Sequence, residues 1–521
     1  MLKKIFSANL PAIVSGLLVF IAIGEINFTV GWICFVPLFI SMLNATAKQS
    51  FKQGLIFGFI LSCFAYSWMI SGAERFTGYN FLYGVGVFLI CALIIALYWA
   101  CLFLCVSFIR TNNKKYSVVL NSLSVAALFC VFEYMWSLIA DGMPWFNFYA
   151  GNALEGNLYA VQPASYFGIY ILSYVVVFVN YLLAVFIANK EWKKVLIPVA
   201  VVLLYMFCGY VVFQNVSSNI KQNQPVKVAL LAENIPPDIK WDDANGNMLV
   251  QRLLDLNKAA VAQKPDIILW SESAIPWTYR KDDDLVNEII KESAPAHATH
   301  ILGINTEVEN NIVNNSAYCI FPDGNISGRY DKQFLLSFIE KPFSGIDIPF
   351  FSNKGFLVNG DKAHSAPLKT PYGKAGIMIC NESAIETAAW QMVSQGAEFF
   401  CNMSNDGWFT NTYIVRSHFL NARLRAVETR KDVIVNCNNG FSGLINSAGN
   451  IIRQEKDTNP FVQLNEIYPN DYKTFAFKFP LLLVYICAAF VLFMIIIKIK
   501  KTKNNEDLSK TDVIFLQDYQ T

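Results

Sequence analysis

Long apolar runs at 9–26, 29–45, 53–72, 81–109, 117–139, 164–189, 194–214 and 479–497 are each long enough, or nearly so, to cross about 30 Å of hydrocarbon as a helix. The pattern predicts eight membrane helices. The first two are short and divided only by Glu25-Ile26-Asn27, so a single re-entrant hairpin is the alternative there. Residues 1–20 carry Lys3 and Lys4 ahead of an apolar stretch but no small-residue cleavage site, and read as a helix rather than a signal peptide. Between 216 and 475 the texture changes to frequent charges, Pro and Gly punctuation, and short β-like runs alternating with helical ones. Strands are predicted at 226–232, 266–270, 301–304, 316–321, 375–379, 399–403 and 433–436, and helices at 244–262, 285–292, 385–395 and 414–429. The chain divides into a transmembrane domain at 1–215 with seven helices, an α/β domain at 216–475, a last transmembrane helix at 476–500 and a mixed-charge tail at 501–521.

The loops between the apolar runs alternate in charge. Lys3 and Lys4, Lys48 and Lys52, Arg110 with Lys114 and Lys115, Lys190 with Lys193 and Lys194, and the lysines from Lys498 to Lys503 mark one side. The opposite loops, near 24–28, 73–80 and 140–163, have Arg75 as their only basic residue. Because basic residues stay on the cytoplasmic side, both termini are expected inside and 216–475 outside. Composition agrees, with 54% hydrophobic residues, 15% charged and a mean hydropathy of +0.37. The net charge of +2 supplies no basic field for nucleic acid.

Of the 12 cysteines, eight lie in apolar runs and read as small buried hydrophobes. The other four, Cys319, Cys380, Cys401 and Cys437, lack the close pairing of a zinc site or a CxxC motif, so the expected chemistry is free of metal and cofactor. Cys380 closes the apolar run 375–379. A thiol there needs a base or a cation to reach the thiolate. The four histidines, His297, His300, His364 and His418, show no Asn or Asp partner at an obvious strand end. Carboxylate is the alternative base. Glu272 follows the strand at 266–270, and Lys332 would hold an oxyanion and bias the thiol toward thiolate. On pattern alone, a cysteine after a strand is more often a core residue.

The surrounding words alter that balance. Ile268-Leu269-Trp270-Ser271-Glu272-Ser273-Ala274, Tyr330-Asp331-Lys332 and Gly376-Ile377-Met378-Ile379-Cys380-Asn381-Glu382 resemble, in order and spacing, the three signatures of the nitrilase or carbon-nitrogen hydrolase superfamily. That resemblance implies an αββα sandwich in which Glu272 is general base, Lys332 stabilises the tetrahedral intermediate and Cys380 is the nucleophile that forms a thioester. Further words narrow it: the segment from Asn234 to Trp241, Ser404-Asn405-Asp406-Gly407-Trp408-Phe409, Ala422-Arg423-Leu424-Arg425-Ala426-Val427-Glu428, and Gly142-Met143-Pro144-Trp145 in an outer loop. With the eight-helix frame, the chain resembles the apolipoprotein N-acyltransferase family from its first helix to its last.

The family implies transfer of the sn-1 acyl chain of a phospholipid, preferably phosphatidylethanolamine, through the cysteine thioester to the α-amino group of a lipoprotein's N-terminal diacylglyceryl cysteine. It implies a bacterial inner membrane with the catalytic domain periplasmic. Glu340 matches a second glutamate of the superfamily, Asn315 an asparagine near its pocket, and Asn381 stands where the family usually has an aromatic ring, followed by Glu382. Trp241 is a candidate acyl-contacting or interfacial aromatic. Phe334, Leu335, Phe338 and Phe343 are candidates for a lid that shields the thioester from water, or else fill the core. Glu133, inside the fifth apolar run, is either functional or paired within the bundle. Two other readings stay open: a membrane-anchored amidase using the same triad on a soluble amide, and a non-catalytic receptor or transporter with a degenerate nitrilase-like domain.

Overall fold

The structure, a computed structural model, describes residues 2–77, 80–110, 117–219, 224–236, 239–309, 312–337, 340–341, 357–409 and 412–518. Among the described residues five helices are long and apolar enough to cross a membrane: Phe81–Ile109, Ser117–Ile139, Ile169–Ala188, Trp192–Val216 and Leu482–Lys500. The first two apolar runs form the shorter helical stretches Asn9–Gly24 and Phe28–Met42. The third run begins earlier than predicted and is split into Ala47–Ala65 and Met69–Thr77. Its early start has a local cause: Thr46 and Gln49 form a reciprocal capping box. The run at 164–189 is broken at Gly168, whose φ of +66° ends the short helix Ala164–Phe167 before Ile169–Ala188 begins.

Small residues let these helices meet closely. A Cβ at Gly54 would lie 2.7 Å from the Trp99 carbonyl oxygen, and one at Gly58 would lie 2.7 Å from Ala96 Cα. The pair sits one turn apart on Ala47–Ala65 and brings it against Phe81–Ile109. Around that contact Phe35, Phe39, Phe57, Trp99, Phe103 and Phe129 pack as a buried aromatic cluster. Trp192–Val216 and Leu482–Lys500 turn most of their apolar residues outward. Glu133 is buried within Ser117–Ile139, where its Oε1 accepts the Ala150 amide at 2.7 Å, so its partner is the segment between that helix and Ile169–Ala188.

The α/β region has two sheets. In the first, Phe461–Ile467, Val226–Ala232, Ile267–Leu269, Thr299–Glu309, Ser316–Ile320 and Ile326–Asp331 lie in that spatial order, with Ile275–Thr278 and Ile312–Asn314 added beside Thr299–Glu309. The second runs Ile451–Glu455, Ser442–Ile445, Val433–Asn438, Phe399–Asn405, Gly373–Ile379 and Leu368–Thr370. Their inner faces share one core, with Leu230, Leu269 and Ile301 from one sheet and Ile377, Phe400 and Val435 from the other. Helices Gly246–Val261 and Asp284–Ser293 cover the first sheet, while Glu386–Ser394 and Tyr413–Thr429 pack on the second. The result is the four-layer αββα sandwich that the resemblance implied.

All seven predicted strands are present, with Thr299–Glu309 much longer than expected because its far half pairs with Ile312–Asn314. Strands at 275–278, 312–314, 326–331, 368–370, 442–445, 451–455 and 461–467 were not predicted. Most are short or carry polar residues at adjacent positions, as in Ile326-Ser327-Gly328-Arg329-Tyr330-Asp331, which hides a period of two.

Candidate active site

Glu272, Lys332 and Cys380 each stand just past the end of a strand: Ile267–Leu269, Ile326–Asp331 and Gly373–Ile379. The turn holding Glu272 is tight. Ser273 has φ +48°, and a Cβ at Gly303 would fall 2.1 Å from the Ser271 carbonyl oxygen, so only glycine lets the neighbouring strand pass behind it. Cys380 itself has φ +54°, a conformation a non-glycine residue adopts at a cost of about 1–2 kcal/mol. This conformation turns the chain sharply from the strand into the one-turn helix Cys380–Ala384.

The fully buried Lys332 Nζ lies 3.6 Å from Glu272 Oε1 and 2.9 Å from Glu340 Oε1. Asn315 Nδ2 donates to Glu272 Oε1 at 2.7 Å, and the Leu336 amide donates to Glu340 Oε2 at 2.7 Å. Both carboxylates are thus held against the ammonium. Burial opposes charge on Lys332, but Glu340 and Glu272 outweigh it and hold the amine above its ordinary value, so it stays a cation. Burial raises Glu272 above the usual carboxylate range; Lys332 and Asn315 pull it back and Glu340 pushes it further up. The Cys380 thiol is pushed well up by burial and by Glu272, with Lys332 alone among the nearby groups working the other way and Glu340 and Asp406 adding to the rise. Cys380 therefore rests as a thiol, and Glu272 is the candidate to take its proton at the moment of attack.

Glu382 does a different job. Its Oε1 accepts from Tyr330 Oη at 2.8 Å, the Gln333 amide at 2.8 Å and the Phe334 amide at 3.1 Å, while Oε2 accepts from the Ile379 amide at 2.8 Å. Burial lifts it to about 7 even so. It ties the Lys332 segment to the strand that delivers Cys380. Asn381 adds a second tie, donating to the Phe334 carbonyl oxygen at 2.9 Å, where the family's ring would give none.

His418 corrects the expectation that no histidine has an Asn or Asp partner at a strand end. It lies on Tyr413–Thr429 with Nδ1 2.8 Å from Asp406 Oδ1 and Nε2 2.8 Å from the Cys380 carbonyl oxygen. A carboxylate and a carbonyl both accept, so the ring needs two N–H groups and carries a positive charge. Burial works against that charge, yet Asp406 and the Cys380 carbonyl raise the ring above its ordinary value. The 12-residue separation of His418 and Asp406, with a strand end and a helix between, gave no sequence signal.

A cavity of about 70 Å³ opens at Cys380. Its walls come from both halves of the chain: Asn381, Phe409, Tyr413 and His418 from the sandwich, and Ile23, Trp145 and Phe148 from the helical half. Leu336 lines it; Leu335 is buried next to it, and Phe334 is half-buried. Phe338 and Phe343 lie outside the described residues. Trp241 is elsewhere, edge-on to Trp277 at 5.5 Å over the first sheet's helices, and does not line this cavity. Among the described residues no group of three His, Cys, Asp or Glu is placed to hold a metal ion.

Fold and site together define a carbon-nitrogen hydrolase domain joined to a bundle of apolar helices, and residues 227–474 match the carbon-nitrogen hydrolase family. Residues 15–182 match the apolipoprotein N-acyltransferase N-terminal domain. The chain is 26% identical over 474 residues to the apolipoprotein N-acyltransferase of Geobacter metallireducens, covering 88% of this chain and 89% of that one. Its identity to the protein of the same name in Borreliella burgdorferi is 26% over 479 residues, covering 84% and 86%. For the Shewanella oneidensis protein of that name it is 29% over 430 residues, covering 78% and 79%. The chain belongs to the apolipoprotein N-acyltransferase family and is a membrane protein.

Proposed function

We propose that this chain transfers an acyl chain from a membrane phospholipid, preferably phosphatidylethanolamine, to the α-amino group of the N-terminal diacylglyceryl cysteine of apolipoproteins, the last step of their maturation. The relatives' names support the reaction class. The observation that carries the reading is the Cys380 cavity, walled on one side by Ile23, Trp145 and Phe148 of the helical half. A nucleophile for a soluble amide needs no such wall, whereas one that meets two anchored lipids gains from being held at the bilayer.

The reaction is ping-pong. Glu272 takes the Cys380 proton as sulfur attacks the sn-1 ester carbonyl, and Lys332 stabilises the oxyanion. The C–O bond breaks, the lysophospholipid alcohol takes the proton from Glu272, and a thioester remains. The lipoprotein amine then attacks the thioester, Glu272 accepts the amine's proton, and the amide leaves Cys380 as a thiol again. Leu335 and Phe334 shield the thioester from water between the halves. The setting is the bacterial inner membrane, crossed eight times, with 216–475 periplasmic and both termini cytoplasmic, as the loop charges favour.

The test is to incubate the purified protein with a phospholipid labelled in its sn-1 chain and look for label on Cys380. Label should appear, vanish in Cys380→Ala, and pass to a diacylated lipopeptide when that is added. Equal labelling of Cys380→Ala, or turnover of soluble amides without any lipid thioester, would sink the reading. Phe334→Ser with Leu335→Ser should raise thioester hydrolysis about tenfold while acylation continues; unchanged hydrolysis removes the shielding role.

A further inference from the structure

Arg430 follows the helix Tyr413–Thr429 in a left-handed conformation, φ +57° and ψ +42°, where glycine is the usual residue. Its side chain is 1% exposed. A guanidinium cannot shed its proton to escape burial, so an interior arginine is ordinarily matched by a carboxylate. Among the described residues no carboxylate forms an ion pair with Arg430: its hydrogen bonds go to the Ser447 carbonyl oxygen at 3.3 Å and Ser165 Oγ at 3.0 Å, both neutral. The nearby acids are engaged elsewhere. Glu428 pairs with Arg425 at 3.0 Å, and Asp432 accepts the Ser447 and Tyr468 amides. Residues 217–225 contain no Asp or Glu.

Arg430 forms part of the wall of a second cavity, about 220 Å³, that shares no lining residue with the Cys380 cavity. The other walls are Val212, Asn215 and Val216 of Leu196–Asn219, Ser165 with Tyr166, and Tyr472 with Phe475. The pocket is built rather than incidental. Lys431 Nζ fastens the Asn470 and Tyr472 carbonyl oxygens, Asn470 Nδ2 donates to the Arg430 carbonyl oxygen at 3.1 Å, and Thr474 Oγ1 donates to the Glu428 carbonyl oxygen at 2.6 Å. Its depth in the membrane is marked twice. It lies at the outer end of the apolar span Trp192–Val216 and a few residues before the span Leu482–Lys500 begins. Its rim is aromatic and outward-facing: Tyr472 is 53% exposed, Tyr166 44% and Phe475 37%. Aromatic rims of this kind sit at the level of lipid headgroups.

We propose that this pocket binds the phosphate of a membrane phospholipid, with Arg430 taking the phosphate oxygens and the apolar flank of Val212, Val216 and Phe475 lying along the acyl chains. It is a holding site for lipid, separate from the nucleophile. The proposal rests on the membrane location alone, so failure of Cys380 to form a thioester would leave it standing.

The test uses the full chain carrying Cys380→Ala, so that no donor is consumed, in lipid nanodiscs. The probes are a phosphatidylglycerol with a photoreactive diazirine on its headgroup and a diacylglycerol with the diazirine at the same place. Phosphatidylglycerol adducts should map to Tyr166 and to the segment 472–475, and fall at least tenfold in Arg430→Gln. Arg430→Lys should retain part of the labelling. Val212→Phe, which fills the pocket without touching the hydrogen bonds of Arg430, should abolish the same adducts if Arg430→Gln folds poorly. Adducts on Trp145 and Phe409, at the other cavity, should be unaffected and serve as the internal control. Equal labelling by the diacylglycerol, or unchanged labelling in both Arg430→Gln and Val212→Phe, overturns the proposal. Loss of the lipid adducts to millimolar inorganic phosphate would assign the site to free phosphate and overturn lipid as the ligand.

Discussion

The molecule buries two clusters in which carboxylates outnumber cations, and they solve that imbalance differently. At the active site Lys332 stands between Glu272 and Glu340. Between the sandwich and the helical half, Arg425 pairs with Glu428 at 3.0 Å, while Glu386 accepts from Tyr170 Oη at 3.2 Å and Glu155 accepts from Asn152 Nδ2 at 2.7 Å. A Cβ at Gly168 would come within 3.4 Å of Glu428 Oε1 and 3.7 Å of Glu386 Oε2, so these carboxylates lie at the start of the helix Ile169–Ala188. Arg423 adds a second cation near Glu155, and the positive end of that helix adds to what the two arginines supply. The first cluster lies beside Cys380, which lines a cavity, and in the proposed reaction Glu272 takes the thiol proton. The second joins the two halves, and none of its charged residues lines that cavity. The difference teaches that burying charge is not by itself a mark of chemistry; a reactive side chain that opens from it onto a cavity is.

Replacing one cation in each cluster gives the sharpest contrast. Lys332→Met should cut thioester formation on the order of 10³-fold, since it removes the charge proposed to meet the oxyanion; single-turnover acylation with labelled phospholipid reads this. Arg425→Met should instead lower stability by about 3–5 kcal/mol by leaving buried carboxylates unpaired, with acylation per folded molecule nearly unchanged. Comparable rate losses in both variants, measured against the folded fraction, would erase the distinction.

Acid and base should separate the clusters more gently. Burial raises Glu428 to about 8 and Glu155 to about 7 from an ordinary value of 4.5. A carboxylate raised on folding adds stability that is complete below about 4.5 and is lost as pH rises through 7 to 8. Thermal stability should therefore decline across that window, and Glu428→Gln should flatten the decline; an unchanged slope would show that the cluster does not titrate as its burial requires. At the active site the smallest effect is expected. The Asn315 hydrogen bond lowers Glu272, so Asn315→Ala should move the acid limb of the acylation rate to higher pH, by less than about one unit. A limb that stays put would detach Glu272 from it.

Much of the site was readable because Glu272 and Cys380 follow strands whose apolar runs announce them, while Lys332, after the polar strand Ile326–Asp331, was legible only through the Tyr330-Asp331-Lys332 signature. Glu340 was readable too, eight residues past Lys332 and now 2.9 Å from it. What stayed hidden depends on contacts that no local pattern encodes. His418 meets Cys380 through a carbonyl oxygen rather than through sulfur, so the search for a Cys-His pair looked for the wrong contact. Trp241, prominent beside its prolines, is drawn to Trp277 by an aromatic contact between a loop and a short strand. Arg430 looked like one more basic residue at a helix end, and only the burial of its side chain without a carboxylate distinguishes it. In the helical half the apolar runs located the segments but not their breaks. Gly168 and the Thr46 capping box set those, through backbone conformation and a hydrogen bond rather than hydropathy.

The wall that Ile23, Trp145 and Phe148 lend to the Cys380 cavity bears on how portable the chemistry is. In the proposed reaction Cys380, Glu272 and Lys332 all belong to residues 216–475, and a soluble fragment of that length would open a thioester on Cys380 to bulk water on the side where the helices now stand. Such a fragment would be an esterase in waiting: able to take an acyl chain, and bound to spill it. Grafting the sandwich onto another anchor would restore proximity to lipid but not the wall, so that reaction makes the membrane half a part of the selectivity against water rather than an exchangeable tether.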